Sequence, residues 1–159
     1  SRNTSPRARR LQGRDMAYEQ AAKIFNNLEE GETIKIATHS MGGAYGKGFI
    51  QGLRKYAEEN DIDIEGLIEF EVDLAPYQPT RQEAQEGVRT IVVAHDGDAV
   101  AGSSTMPGAE NNVTRKDESW GTGEHSVDSF TQSEIDQFVP KSNNNPIGSG
   151  VWEEKPENN

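Results

Sequence analysis

The sequence predicts an α/β protein built on a small parallel sheet with flanking helices, and three features carry that expectation. Short β-branched segments alternate with amphipathic segments of helical period between about residues 15 and 101. Glycine and proline stand where the period changes. The resulting order of helix, strand, helix, strand, candidate short helix and strand is that of βαβ units, whose crossovers make neighbouring strands parallel.

Residues 15–30 place Tyr18, Ala21, Ala22, Phe25 and Leu28 at spacings of three and four, which predicts a helix with Asp15 as N-cap and Gly31 as its stop. Residues 33–38 (TIKIAT) are short and β-branched and predict a strand. Helical period returns over 41–59, where Phe49, Ile50, Leu53, Tyr56 and Ala57 form the apolar stripe. Glycines 46, 48 and 52 of that helix are expected to let it approach the sheet closely. Residues 66–75 alternate, with Ile68, Phe70, Val72 and Leu74 on one face and Glu69, Glu71 and Asp73 on the other, a face expected to be solvated. Pro76 and Pro79 end that strand, 80–87 is a candidate short helix, and 89–94 (RTIVVA) reads as a further, buried strand.

The chain divides by composition. Residues 1–14 carry five arginines and read as a flexible basic leader; 15–139 read as the folded domain; 140–159 read as a disordered polar tail. Beyond Gly102 the sequence turns to Asn, Ser, Gly, Glu and Thr, which predicts long loops and one short helix over 131–139. Across 159 residues the formal charge is −11, a balance that disfavours binding to nucleic-acid phosphates or anionic lipid. No apolar run approaches the roughly 20 residues of a membrane span. Cysteine is absent, which excludes disulfides, thiolate nucleophiles and thiolate metal sites. No signal peptide is visible at the start. No metal site is expected, because Asp96 and Asp98 lack further ligands at calcium-loop spacing, and no cofactor is expected either.

The stretch THSMGGAYGKG, residues 38–48, sits between a strand and a helix. A serine on so sharp a turn is pushed out above the sheet, and only small neighbours fit beside it. Gly42 and Gly43 meet that demand; Thr38 stands where glycine is usual. The stretch resembles the nucleophile elbow of the α/β-hydrolase superfamily, Gly-x-Ser-x-Gly, in its lipase-like His-Ser-Met-Gly-Gly form. That resemblance implies a serine esterase or lipase acting on a small-molecule or lipid carboxylic ester. It also implies an acid after a later strand and a histidine after the acid. HDGDAVAG, residues 95–102, follows the strand TIVVA and is similar to the family's acid loop, favouring Asp98 with Asp96 second. Asp73, near the end of the earlier strand, is a further alternative acid. His125, in GTGEHSVDSF, is the one histidine downstream of the acid.

The roles implied are Ser40 as nucleophile, His125 as base, Asp98 as the carboxylate that orients the base, and the Met41 N–H as one oxyanion donor. His39 is expected to pack beside the nucleophile, and His95 to be a loop residue. The family's second oxyanion donor comes from a loop after an earlier strand, and 39 residues precede Ser40 here without a convincing strand before the first helix. The resemblance therefore implies a truncated or minimal hydrolase core, completed by the upstream part of a longer chain or by another protein. THSMGGAYGKGF is also similar to lipase-like C-terminal regions of bacterial Rhs-type secreted proteins, which implies a soluble bacterial protein, cytoplasmic or secreted as part of a larger one. The alternative to an enzyme is a hydrolase-like binding domain without turnover.

Overall fold

The computed structural model describes residues 5–101, 104–114 and 125–140; the tail expected beyond Pro140 lies outside them, as does the start of the leader. Seven main elements follow in chain order: α1 (Pro6–Asn27), β1 (Ile34–His39), α2 (Gly42–Glu59), β2 (Ile68–Leu74), β3 (Arg89–His95), β4 (Glu110–Thr114) and α3 (Gln132–Phe138). The four strands form one sheet in the order β1-β2-β3-β4, and every pairing is parallel. The expected α/β class with a small parallel sheet is therefore the observed one. Among the described residues no helix is long and apolar enough to cross a membrane.

Helices α1 and α2 cover one face of the sheet, where Ala17, Ala21, Ile50, Leu53, Ile68 and Val88 are buried together. The other face buries Phe70, Val72, Ile91 and Val93 beneath Phe130, Val139 and the Ile135 and Phe138 side chains of α3. Because a parallel sheet carries all its C-terminal strand ends on one edge, the loops after β1 and β3 meet there.

The basic leader is not wholly a frayed arm. α1 begins at Pro6 rather than near Asp15, with Ser5 as N-cap accepting from the Ala8 N–H at 3.2 Å and proline in the first turn. Arginines are good helix formers, and small residues decide the packing: Gly13, Ala17 and Ala21 are buried against α2. Gly48 and Gly52 do not face the sheet, as their spacing suggested. A Cβ on Gly48 would lie 1.8 Å from the Arg10 carbonyl oxygen, and one on Gly52 2.2 Å from that of Arg14. Of the three glycines, Gly46 alone approaches the sheet, its Cβ position 2.7 Å from the Thr38 methyl.

Two other expectations change. Residues 80–87 form no helix beyond a 3-10 turn over Pro79–Arg81. β4 escaped the sequence reading because its residues, ENNVT, are polar. Side-chain amides hold it: Asn111 bonds the backbone of Met106 and Ala109, and Asn112 donates to the Val92 carbonyl at 3.2 Å.

In an exposed helix, Gly→Ala stabilises by about 1 kcal/mol. Gly48→Ala should do the opposite, because the new methyl meets backbone and α1 must shift, an overpacking cost of roughly 1–3 kcal/mol. Urea unfolding of the variant should show a lower midpoint than the parent.

Candidate active site

Ser40 occupies the first residue after β1 with φ of 55°, a left-handed conformation that costs a non-glycine residue about 1–3 kcal/mol. Three backbone hydrogen bonds hold it there. Its N–H donates to the Leu74 carbonyl at 3.0 Å, and its carbonyl accepts from Tyr77 at 3.0 Å and Gly43 at 3.3 Å. The segment it leans on is itself bent, with positive φ at Ala75 (44°) and Gln78 (51°). Thr38 fits where a glycine was expected because its neighbours give way. A Cβ on Gly42 would lie 3.6 Å from the Thr38 Cβ, an ordinary contact, and Gly46 leaves room for the Thr38 methyl.

Ser40 Oγ lies 2.6 Å from His125 Nε2, and His125 Nδ1 lies 2.8 Å from Asp98 Oδ2. With a carboxylate oxygen as acceptor for the Nδ1 proton, the Nε2 lone pair is left to accept the serine O–H. Asp98 is 2% exposed. Its second oxygen accepts from the N–H groups of Val100 at 2.7 Å and Ala101 at 3.0 Å, so both oxygens are occupied and the carboxylate cannot rotate freely. Met41 follows Ser40 at the N-cap of α2. The first N–H groups of a helix have no partner within it, and they face the positive end of its dipole.

Of the three candidate acids the structure brings Asp98 alone to His125. Asp96 is exposed on the same loop. Asp73 points to the other face of the sheet, where it meets Lys47 Nζ at 2.5 Å and accepts from Thr38 Oγ1 at 2.5 Å. Two of the three acids on that face of β2 are therefore not solvated: Glu71 and Asp73 are both 0% exposed, and Lys47 is 2% exposed. Lys47 lies on the buried stripe of α2, three residues before Ile50. A lysine on an apolar stripe facing alternating acids was the available sequence signal.

His95 also differs from expectation, because it is the last residue of β3 and fully buried. Its Nε2 lies 3.0 Å from Glu134 Oε1 and its Nδ1 3.2 Å from Ser129 Oγ, while its ring stacks on Phe130 at 4.3 Å. Glu134 closes a capping box with Thr131 at the start of α3. These contacts fasten the segment that begins at His125 to the strand that launches Asp98. His39 adds a second tie: its Nε2 donates to the His125 carbonyl at 2.6 Å. The Gly-rich residues just before His125 lie outside the described residues.

Burial, aided by the Asp73 charge, pushes the Glu71 carboxyl up to about 8 against the pull of Lys47. Burial also opposes the Lys47 ammonium, but the charges of Asp73 and Glu71 overcome it and hold its pKa above the ordinary value. Burial thus favours the protonated form of Glu71, while Lys47 keeps its charge and meets Asp73. Glu71 Oε1 lies 3.0 Å from Lys47 Nζ without hydrogen-bond alignment, and its Oε2 has no partner among the described residues.

No protein-family model, curated protein or solved structure matches the chain.

A carboxyl whose folded pKa exceeds its unfolded one stabilises fully at low pH and loses that contribution as pH rises through the folded value. Melting temperature should therefore fall between about pH 5 and pH 9, and Glu71→Gln, which cannot ionise, should flatten that decline. Thermal melts of both proteins across the range check the sign.

Proposed function

We propose that the protein is a serine hydrolase of the α/β-hydrolase type, acting on a carboxylic ester. One observation carries the reading: a serine on a left-handed turn at a strand's end, 2.6 Å from an imidazole whose other nitrogen is 2.8 Å from a buried aspartate. Nothing in the packing requires three such groups to line up, whereas nucleophilic catalysis does.

In that mechanism Ser40 Oγ attacks the ester carbonyl carbon while its proton passes to His125 Nε2. The carbonyl electrons move onto oxygen, and the Met41 N–H stabilises that charge. The tetrahedral intermediate collapses, the bond to the alcohol breaks, and His125 returns the proton to the departing oxygen. Asp98 holds the imidazole tautomer and offsets its transient positive charge. Water, deprotonated by His125, then releases the acid and restores Ser40. The likeness of the elbow to Rhs-type C-terminal regions makes a bacterial effector context part of the same proposal.

A second reading, a hydrolase-shaped binding domain, rests on one feature. Among the described residues no strand precedes β1, so no earlier strand loop offers a second oxyanion donor. Loss of one such donor costs about 10²–10³ in turnover.

The two readings separate on a fluorophosphonate probe. Labelling should occur at Ser40, vanish in Ser40→Ala, and slow about 10³-fold or more in His125→Ala. Folded protein that resists the probe would favour the binding domain.

A further inference from the structure

The chain is strongly acidic, with a formal charge of −11, yet the first turns of α1 hold Arg7, Arg9 and Arg10 with no acidic residue among them. α1 runs beside α2 in the same direction. The Arg10 carbonyl faces Gly48, Gly13 faces Tyr45, and the Arg14 carbonyl and Ala17 face Gly52. The arginine-bearing end of α1 is thus laid against the end of α2 that follows Ser40.

Arg9 touches the elbow's flank. Its Nη2 lies 3.9 Å from the sulfur of Met41, a weak acceptor. Its Nε is shielded from solvent and has no hydrogen-bond partner among the described residues. A guanidinium carries five N–H donors in a planar fork and stays charged at any ordinary pH. Desolvating one of its donors without an acceptor is unfavourable, and a buried charge without a partner more so. Arg89, by contrast, meets Glu110 through two nitrogens, at 2.6 and 3.0 Å. Arg9 has the donors, the partial burial and the position, and lacks the anion.

We propose that Arg9 anchors an anionic group of the substrate, so that the Ser40 site takes esters bearing a carboxylate or phosphate close to the scissile carbonyl. This inference rests on the hydrolase reading. Both anions present the paired oxygens that the guanidinium fork matches, and Arg7 and Arg10 on the same turns of α1 raise the local concentration of anions beside an otherwise acidic molecule. The Arg9 fork touches the side chain of Met41, the residue after Ser40, so an anion held there lies beside the elbow.

The test compares 4-nitrophenyl butyrate with 4-nitrophenyl hydrogen succinate, which differ mainly in a methyl group exchanged for a carboxylate. The parent protein should favour the succinate ester in kcat/KM by about tenfold or more, as a charge-assisted contact predicts. Arg9→Gln should bring that ratio to about one, and Arg9→Lys, which keeps charge without the fork, should retain part of it. Protection of Ser40 from a neutral fluorophosphonate by inorganic phosphate, set against protection by succinate, separates the two anions. A parent that favours butyrate, or a ratio unmoved in Arg9→Gln, overturns the proposal while leaving the hydrolase reading intact. Failure of the probe to label Ser40 sinks the hydrolase reading instead. Titration of methyl succinate into the Ser40→Ala protein and its Arg9→Gln double variant, followed by NMR, then judges the anion site alone: equal or absent binding in both refutes it.

Discussion

A single backbone conformation, the left-handed turn at Ser40, is the constraint on which the rest of the site depends. A residue with a side chain resists φ of 55°, and the surroundings hold it there through β2 and the bend that follows it. The turn lifts Ser40 Oγ off the sheet edge and starts α2 immediately behind it, which leaves little room for a side chain at Gly43 and Gly46. Gly43 already brings the Gln82 amide to 3.0 Å of where a Cβ would stand. The same turn sets where His125 must arrive. The contacts of His95, Glu134, Phe130 and His39 hold the segment that delivers it.

Beneath the elbow, the Lys47–Asp73–Glu71 cluster shows how a charged strand face can be buried rather than solvated. Three ionisable groups between a helix and a sheet would be costly if all were charged or any were unpaired. The upward shift of the Glu71 carboxyl eases the problem, and Lys47 and Thr38 each meet one Asp73 oxygen. This arrangement also explains the acid chosen by His125. Asp73 is committed to Lys47 on the helix-covered face, whereas Asp98 lies on the loop after β3 with its outer oxygen fixed by two backbone N–H groups.

The parts of the structure that repeat with a period were legible in the sequence. β1, α2, β2, β3 and α3 follow alternation or helical spacing, and the elbow, acid loop and histidine could be placed on them by the likeness of THSMGGAYGKG and HDGDAVAG to hydrolase motifs and by the order that likeness implies. What escaped had no apolar period. α1 starts at Pro6 because a Ser-Pro cap and small contact residues suffice for a helix whose early turns are arginine-rich. β4 is held by asparagine amides, which composition reads as loop. Lys47 drew no expectation and His95 read as a loop residue, because burial of a polar side chain depends on partners distant in sequence, here Asp73 and Glu134.

The central claim is that Ser40 acts as a nucleophile through His125, and the most direct measurement is to look for the covalent intermediate. Protein mixed with 4-nitrophenyl acetate, quenched in acid within the first turnovers and digested, can be mapped by mass spectrometry. The account predicts an acetyl group on the peptide carrying Ser40, localised to its hydroxyl and lost on longer incubation. An unmodified Ser40 peptide alongside nitrophenol release, or acetylation confined to lysines, would contradict it.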